Sequence, residues 1–229
     1  MGGGLSQSRT GHLADDFFLM VHDDLSGRPR LPERILGLGL AGALLGELVL
    51  LDAIDIVKGD VTLIAEEPPS GADESRSLLT SLVFRELKAE RRLPAQDWLN
   101  YLGRRASERV ARRLEAQDLV CLKQPRIKVP GRSGRWAPTD ITTASWPAID
   151  VKLKIYNGKA DLHTLMLFGL THATGLEHPS LWDIRERLKD PAALNKTLEP
   201  LVVFNSPLLD LLAHTEAVVG SAVTSQRIG

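Results

Sequence analysis

Apolar residues recur at helical spacing near the start of the chain. Residues 13–24, "LADDFFLMVHDD", place their apolar side chains on one stripe, which predicts an α-helix. Asp15 and Asp16 then lie in the first turn, where the helix dipole favours carboxylates. A helix rises about 1.5 Å per residue, so the second acidic pair, Asp23 and Asp24, lies roughly 12 Å away. The two pairs therefore cannot share a metal ion, and the pattern favours a core helix over a metal or catalytic cluster.

The most apolar stretch is residues 35–51, "ILGLGLAGALLGELVLL". It is shorter than the roughly 20 residues of a membrane-spanning helix, and Glu47 interrupts it. Gly42 and Gly46 form a GxxxG pattern, which also occurs in paired membrane helices. We interpret this stretch as a buried central helix. The alternation that follows, on both sides of Lys58–Gly59–Asp60, predicts a β-hairpin.

Further elements follow from periodicity and from Pro and Gly positions. We expect a second β pair from "DLVCLK" (118–123) and "RIKV" (126–129), with "PGRSGRW" (130–136) as its turn. Strand-like alternation and the helix-starting Pro147 compete in residues 145–162, and we favour a helix. The other helices are predicted at 78–91, from Pro94 onward, and at 104–117, 161–175, 180–188 and 208–219.

These patterns predict a mainly α protein. Residues 13–229 would form a single globular helical domain with a buried central helix and short β-hairpins. The Gly- and Ser-rich residues 1–12 would form a disordered N-terminal tail. No stretch within 13–229 is typical of a long linker.

The composition and the absence of known motifs exclude several classes of function. The 229 residues are 43% apolar and 25% charged, and the net charge of −1 gives no general attraction to nucleic acid or anionic membranes. The sequence holds no motif typical of a hydrolase, a zinc protease, a P-loop protein or a dinucleotide-binding protein. Its six histidines are scattered. We therefore expect no catalytic residues, no cofactor and no metal site.

Arginine is the positive feature. It is concentrated on the predicted helix 104–117, in the loop before the central helix, and near the second hairpin: Arg104, Arg105, Arg109, Arg112 and Arg113; Arg28, Arg30 and Arg34; Lys128, Arg132 and Arg135. In one interpretation the helix has a solvated face, with Glu108 and Glu115 as partners. In the other, the clusters converge into a site for phosphate. Helix followed by hairpin occurs twice, as in winged-helix proteins, but the basic residues lie outside a recognition helix, so we expect no nucleic-acid partner.

Four motifs resemble, in this order, the Golgi phosphoprotein 3 family, and its bacterial relatives most closely. They are "LADDFFLMVHDDLSG", "GLAGALLGELVLLDAIDI", "ERVARRLEAQDLV" and "DLHTLMLFGLTHATGL", and the match covers most of Leu13 to Val219. The resemblance implies a mostly helical domain with a protruding β-hairpin and no enzymatic activity. It also implies a peripheral membrane protein that binds phosphatidylinositol 4-phosphate and acts as an adaptor for the cytoplasmic tails of membrane proteins.

The resemblance also implies positions for the headgroup site. Matched residue by residue, the family's tryptophan falls on Pro32, its first arginine on Ala41, and its helical arginine pair on Arg104 and Ser107. Only Arg104 is kept. Our hypothesis is that Arg30, Arg34 and Arg105 compensate for the missing residues.

We expect a cytoplasmic, non-enzymatic protein that lies on the inner face of the membrane and binds anionic phospholipid headgroups. Because Pro32, Ala41 and Ser107 replace three headgroup residues, we expect weak selectivity for phosphatidylinositol 4-phosphate. The alternative is a protein-interaction or adaptor module that keeps the fold without binding lipid.

Overall fold

Helices dominate the computed structural model, which describes residues 10–69, 74–90, 93–124 and 135–228. In chain order the elements are α1 (Leu13–Val21), α2 (Glu33–Leu50), β1 (Ile54–Val57), β2 (Asp60–Leu63), α3 (Glu74–Ala89), α4 (Ala95–Glu115), β3 (Val120–Lys123), β4 (Arg135–Pro138), α5 (Ile141–Tyr156), α6 (Leu162–Ala173), a short 3-10 helix (Pro179–Leu181), α7 (Trp182–Arg187), α8 (Pro191–Phe204) and α9 (Ser206–Ile228). The prediction of a mainly α protein with short β-hairpins is confirmed.

Helix α2 is the centre of the core. Every residue from Ile35 to Val49 is buried, and α1, α3, α4, α6 and α9 all pack against the helix. Its glycines allow close packing, since Gly42 lies against Thr215 of α9 and Gly46 against Leu13 of α1. The predicted buried central helix is confirmed. In the part of the chain that the structure describes, no helix is long and apolar enough to cross a membrane.

The closest approach in this core is between α2 and α4. A Cβ atom added to Gly37 would lie 2.2 Å from the carbonyl oxygen of Gly103, so the two backbones touch with no side chain between them. Ten residues further along both helices, Glu47 of α2 and Arg113 of α4 are joined by hydrogen bonds. The two helices therefore run in the same direction, and their register places Gly37 beside Gly103.

Two β-hairpins follow α2 and α4. In the first, Val57 pairs with Asp60, and Lys58 and Gly59 form the turn with φ of 54° and 87°. The predicted hairpin is confirmed, but Asp60, which the sequence assigned to the turn, is the first residue of β2. In the second, β3 pairs with β4 from Val120–Pro138 to Lys123–Arg135.

The second hairpin differs from its prediction. The predicted strand 126–129 lies outside the described residues, as do Lys128 and Arg132. The assignment of Arg135 and Trp136 to the turn is wrong, because both belong to β4. The physical reason is burial on both faces of β4: Ala137 is buried, and Trp136, which points to the opposite face, packs against the core, so neither residue is free to lie in an exposed turn.

Several helix boundaries were also wrong. The predicted helix at 145–162 is confirmed, but α5 starts at Ile141, where the side chain of Asp140 accepts a hydrogen bond from the Thr143 N–H at 2.7 Å. The helices predicted from Pro94 and at 104–117 are one continuous helix, α4. The predicted helix 180–188 divides into the 3-10 helix and α7, and α9 extends beyond 208–219 at both ends. Helix α8 was not predicted.

Candidate functional site

Exposed arginines lie at the crossing of α2 and α4. Arg34 precedes Gly37 by one helical turn, and Arg104 directly follows Gly103. Since the two glycines touch, the Cα atoms of Arg34 and Arg104 lie within about 14 Å of each other. The fold therefore places the backbone positions of these two sequence-predicted residues near the same crossing. Arg105 is also exposed, but it is one residue further along α4 from Gly103 than Arg104 is.

The positive charges of these three arginines are not compensated by a nearby carboxylate among the described residues. Among the residues that the structure describes, Arg34, Arg104 and Arg105 form no ion pair. An exposed guanidinium without a carboxylate partner keeps its planar set of N–H donors, which matches the oxygens of a phosphate group. The crossing is therefore a candidate anion-binding surface.

Arg30 is placed differently from the other predicted site residues. Its Nη2 atom lies 3.5 Å from Asp23 Oδ2 and 3.5 Å from Asp24 Oδ1, and 19% of its side chain is exposed. Asp23 also closes the turn after α1, because its Oδ1 accepts a hydrogen bond from the Ser26 N–H at 2.8 Å. Arg30 thus stabilises the loop between α1 and α2, and its charge is largely compensated there.

Two further arginines of α4 have carboxylate partners. Arg112 pairs with Glu108 at 2.8 Å, one turn away on the exposed face, as the solvated-face interpretation predicted. Arg109 donates two hydrogen bonds to Glu86 of α3, at 2.7 and 3.0 Å. The arginine-rich helix therefore divides into arginines with carboxylate partners, of which Arg109 links α4 to α3, and the exposed Arg104 and Arg105, which have no ion-pair partner among the described residues.

Arg113 does not belong to the surface at all. Only 5% of it is exposed, and its Nε donates to Asp15 Oδ1 at 2.7 Å. Nη2 and Nη1 donate to the two carboxylate oxygens of Glu47 at 2.9 and 3.2 Å. Thr80 of α3 donates to Glu47 Oε2 at 2.8 Å. The sequence-based placement of Arg113 in a surface cluster is wrong, since it joins four helices inside the core.

The network continues to the start of α1. His163 Nε2 lies 2.8 Å from Asp16 Oδ2, and Thr10 Oγ1 donates to Asp16 Oδ1 at 2.8 Å. His12 Nδ1 lies 3.4 Å from Glu47 Oε2. Residues 10–12, which the sequence assigned to the disordered tail, therefore pack against the domain. Residues 1–9 of the predicted tail lie outside the described residues.

Burial and charge act in opposite directions on these carboxyl groups. Burial is the largest influence on Asp15 and raises its pKa to about 6, against the attraction of Arg113. Burial also opposes ionisation of Glu47, but Arg113 and His12 outweigh it and hold the pKa of Glu47 well below its usual range. Glu47 and Arg113 therefore form a charged pair in the core. Among the described residues, no group of three or more His, Cys, Asp or Glu side chains could hold a metal ion.

One signal in the sequence could have revealed this network. Glu47 stands within the most apolar stretch, and charged residues are almost never fully buried unless they are paired. Arg113 falls three residues after Val110, which continues the buried stripe of α4. Both observations indicate buried charges, but neither identifies the partner.

The positions implied by the family resemblance have different surroundings. Pro32 is exposed just before α2, and Ser107 is half-buried one turn after Arg104. Ala41 is fully buried in the core. A family model described as Golgi phosphoprotein 3 (GPP34) matches residues 13–215. The chain belongs to the Golgi phosphoprotein 3 family. No curated protein matches the sequence. In this member of the Golgi phosphoprotein 3 family, the position matched to the first headgroup arginine faces the core.

Proposed function

We propose that the chain is a non-enzymatic peripheral membrane protein that binds anionic phospholipid headgroups. Arg34 and Arg104 would hold the phosphate, while Arg105 would attract the anionic surface at longer range and Arg30 would fix the loop before α2. The observation that carries this proposal is the pair of exposed arginines at the Gly37–Gly103 crossing, which have no carboxylate partner within the described residues. The protein would act in the cytoplasm, on the inner face of the membrane.

The expected lipid preference follows from the two arginines, Arg34 and Arg104, that are available to bind a headgroup phosphate. A phosphatidylinositol 4-phosphate headgroup carries a phosphate monoester, which has more charge and more free oxygens than a simple phosphodiester. Two guanidinium groups would bind it more tightly than they bind phosphatidylglycerol. With proline at position 32 and serine at position 107, we expect this preference to be modest.

Removing Arg34 and Arg104 together should abolish selective vesicle binding. Each charge-assisted hydrogen bond contributes about 1.5–3 kcal/mol, so each arginine should account for about a tenfold change in affinity or more. The measurement is co-sedimentation with vesicles of phosphatidylcholine alone, with added phosphatidylglycerol, or with added phosphatidylinositol 4-phosphate, each at low and physiological salt. The variant is Arg34→Gln/Arg104→Gln.

The matched control is Arg112→Gln/Arg187→Gln, which removes two exposed arginines outside the crossing and changes the net charge equally. Loss of binding in the first variant and retention in the control would support the site. Equal loss in both, reversed by salt, would indicate general electrostatic attraction and contradict the assignment. Absence of binding by the native protein would contradict the lipid function itself.

Adding a third arginine should strengthen binding. Ser107 lies three residues after Arg104, so an arginine there would face the same side of α4 and could reach the same phosphate. We expect Ser107→Arg to raise affinity for phosphatidylinositol 4-phosphate vesicles about tenfold, as one charge-assisted contact would. Ser221→Arg, on the exposed face of α9, adds the same charge elsewhere and serves as the control. Equal gains in both variants would contradict this prediction.

A second candidate is an adaptor that binds cytoplasmic tails of membrane proteins and not lipid. The observation that favours it is the replacement of two implied headgroup positions by the exposed Pro32 and the buried Ala41. It predicts no vesicle binding in the co-sedimentation experiment at either salt concentration. Capture of a membrane-protein tail that survives the Arg34→Gln/Arg104→Gln change would then support it.

A further inference from the structure

A groove lies between α6, α7 and α8, apart from the arginines of the α2–α4 crossing. Its volume is about 850 Å³, within the range of roughly 300–1,000 Å³ typical of small-molecule sites. Phe168 and Leu194 contribute to its lining from α6 and α8, and Trp182 and Arg185 from α7. Nothing in the proposed headgroup function uses this groove.

The groove combines an apolar floor with an exposed aromatic side chain. Phe168 is buried, and Leu188 and Leu194 pack against the core. Trp182, in contrast, is 67% exposed. An indole that borders an apolar groove offers a flat surface on which another ring can stack. The shape and surface of the groove therefore suit a planar aromatic ligand.

Arg185 supplies an oriented cation in the same groove. It is half-buried, and its Nη1 donates a hydrogen bond to the carbonyl oxygen of Leu176, which restrains one end of the guanidinium. Within the described part of the chain, no carboxylate pairs with it. The nearby Lys189 is already paired with Glu186 at 2.6 Å. Arg185 is thus a guanidinium of the groove without a carboxylate partner among the described residues, and its remaining N–H donors match a carboxylate, sulfonate or phosphate oxygen.

Charge on the rim limits the ligand further. Glu177 also lines the groove and is exposed. Its carboxylate would repel a ligand with several negative charges but would leave room for one anionic group held on Arg185. We propose that this groove binds a small aromatic monoanion, with its ring on Trp182 and the apolar floor and its anionic group on Arg185.

The test uses 1-anilinonaphthalene-8-sulfonate, a fluorescent aromatic monoanion, titrated into the full folded chain. We expect saturable binding by the native protein. Arg185→Gln keeps an N–H donor for Leu176 but loses the charge, and Trp182→Leu loses the ring surface. Each should weaken binding about tenfold or more. Arg187→Gln is the matched control on the same helix, since Arg187 does not line this groove and its guanidinium lies over the Tyr156 ring at 5.8 Å, in the lining of a separate groove.

A second probe separates the charge from the ring. N-phenyl-1-naphthylamine has the same rings without the sulfonate, so it should bind more weakly to the native protein and be unaffected by Arg185→Gln. Circular dichroism and a urea transition confirm that each variant is folded. The proposal is overturned if the native protein does not bind the sulfonate, if Arg185→Gln binds both probes as the native protein does, or if Arg187→Gln loses binding equally. Vesicle binding through Arg34 and Arg104 is measured separately, so either site can fail alone.

Discussion

Replacing Arg113 by methionine is expected to lower the free energy of unfolding by about 3–5 kcal/mol, as the loss of one partner from a buried ion pair does. Methionine fills a similar length, so the main effect is electrostatic. Asp15 and Glu47 would remain in the core, and the three hydrogen bonds that Arg113 donates to them would be lost. Since a domain of this kind is stable by only about 5–15 kcal/mol, this loss is a large fraction of the total. Urea denaturation followed by circular dichroism measures it.

The control and the rescue use neighbouring residues. Arg112→Met removes an exposed arginine one residue away, whose pair with Glu108 is in solvent, and should change stability by less than about 1 kcal/mol. If Arg113→Met does not fold, adding Asp15→Asn and Glu47→Gln should restore folding, because the unpaired charges would then be gone. A loss in Arg113→Met no larger than in Arg112→Met would contradict the charged network.

The sequence contained the central elements but not their contacts. The apolar run of α2, the hairpin turn at Lys58–Gly59 and the cap of α6 at Asp161 all follow from local chemistry, because periodicity and turn residues act over a few positions. The pairing of Glu47 with Arg113 does not follow, because the two residues are 66 positions apart. Their buried positions could be inferred from the pattern, whereas their contact depends on how α2 and α4 pack.

Proline marks the start of α8. Asp190 and Pro191 lie at the boundary between α7 and α8, where Pro191 occupies the first turn of α8 and the Asp190 side chain accepts a hydrogen bond from the Ala192 N–H at 3.4 Å. Proline is favoured at that position, since its missing N–H has no partner in a helix anyway. Pro200 lies inside the same helix and interrupts the pattern that would have identified it. The missed helix also hid the groove, because α8 contributes Leu194 to its lining.

The candidate headgroup site was predictable only as a list of residues. The family resemblance identified Arg104, and the arginine clusters added Arg30, Arg34 and Arg105 as candidates, but the sequence could not separate exposed arginines from paired ones. Arg30 has two carboxylates near it, and the equally promising Arg113 is buried. What joins Arg34 to Arg104 is the contact between two glycines on different helices, for which local sequence carries no signal.

That contact makes Gly37→Ala the second change with a large expected effect. The added Cβ would lie 2.2 Å from the Gly103 carbonyl oxygen and 3.1 Å from its carbonyl carbon. These are backbone atoms, so no rotamer change can relieve the overlap, and α2 and α4 must move apart. Overpacking of a core costs about 1–3 kcal/mol, and alanine recovers up to about 1 kcal/mol through its helix propensity. Because the added Cβ would meet backbone atoms, we expect Gly37→Ala to lower the free energy of unfolding by a net amount of about 2 kcal/mol, measured by urea denaturation.

Alanine substitutions at two other glycines separate the steric effect of the added Cβ from its effect on helix propensity. Gly220 on α9 has no atom within 4 Å of an added Cβ, so Gly220→Ala should gain up to about 1 kcal/mol from helix propensity alone. At Gly103 the atoms nearest to an added Cβ would be 3.3 Å away. The change in the free energy of unfolding for Gly103→Ala should therefore lie between the changes for Gly37→Ala and Gly220→Ala. If the crossing positions the headgroup arginines, Gly37→Ala protein that remains folded should also bind anionic vesicles more weakly. Stabilisation of Gly37→Ala equal to that of Gly220→Ala would contradict the close crossing, and with it the geometry that places Arg34 beside Arg104.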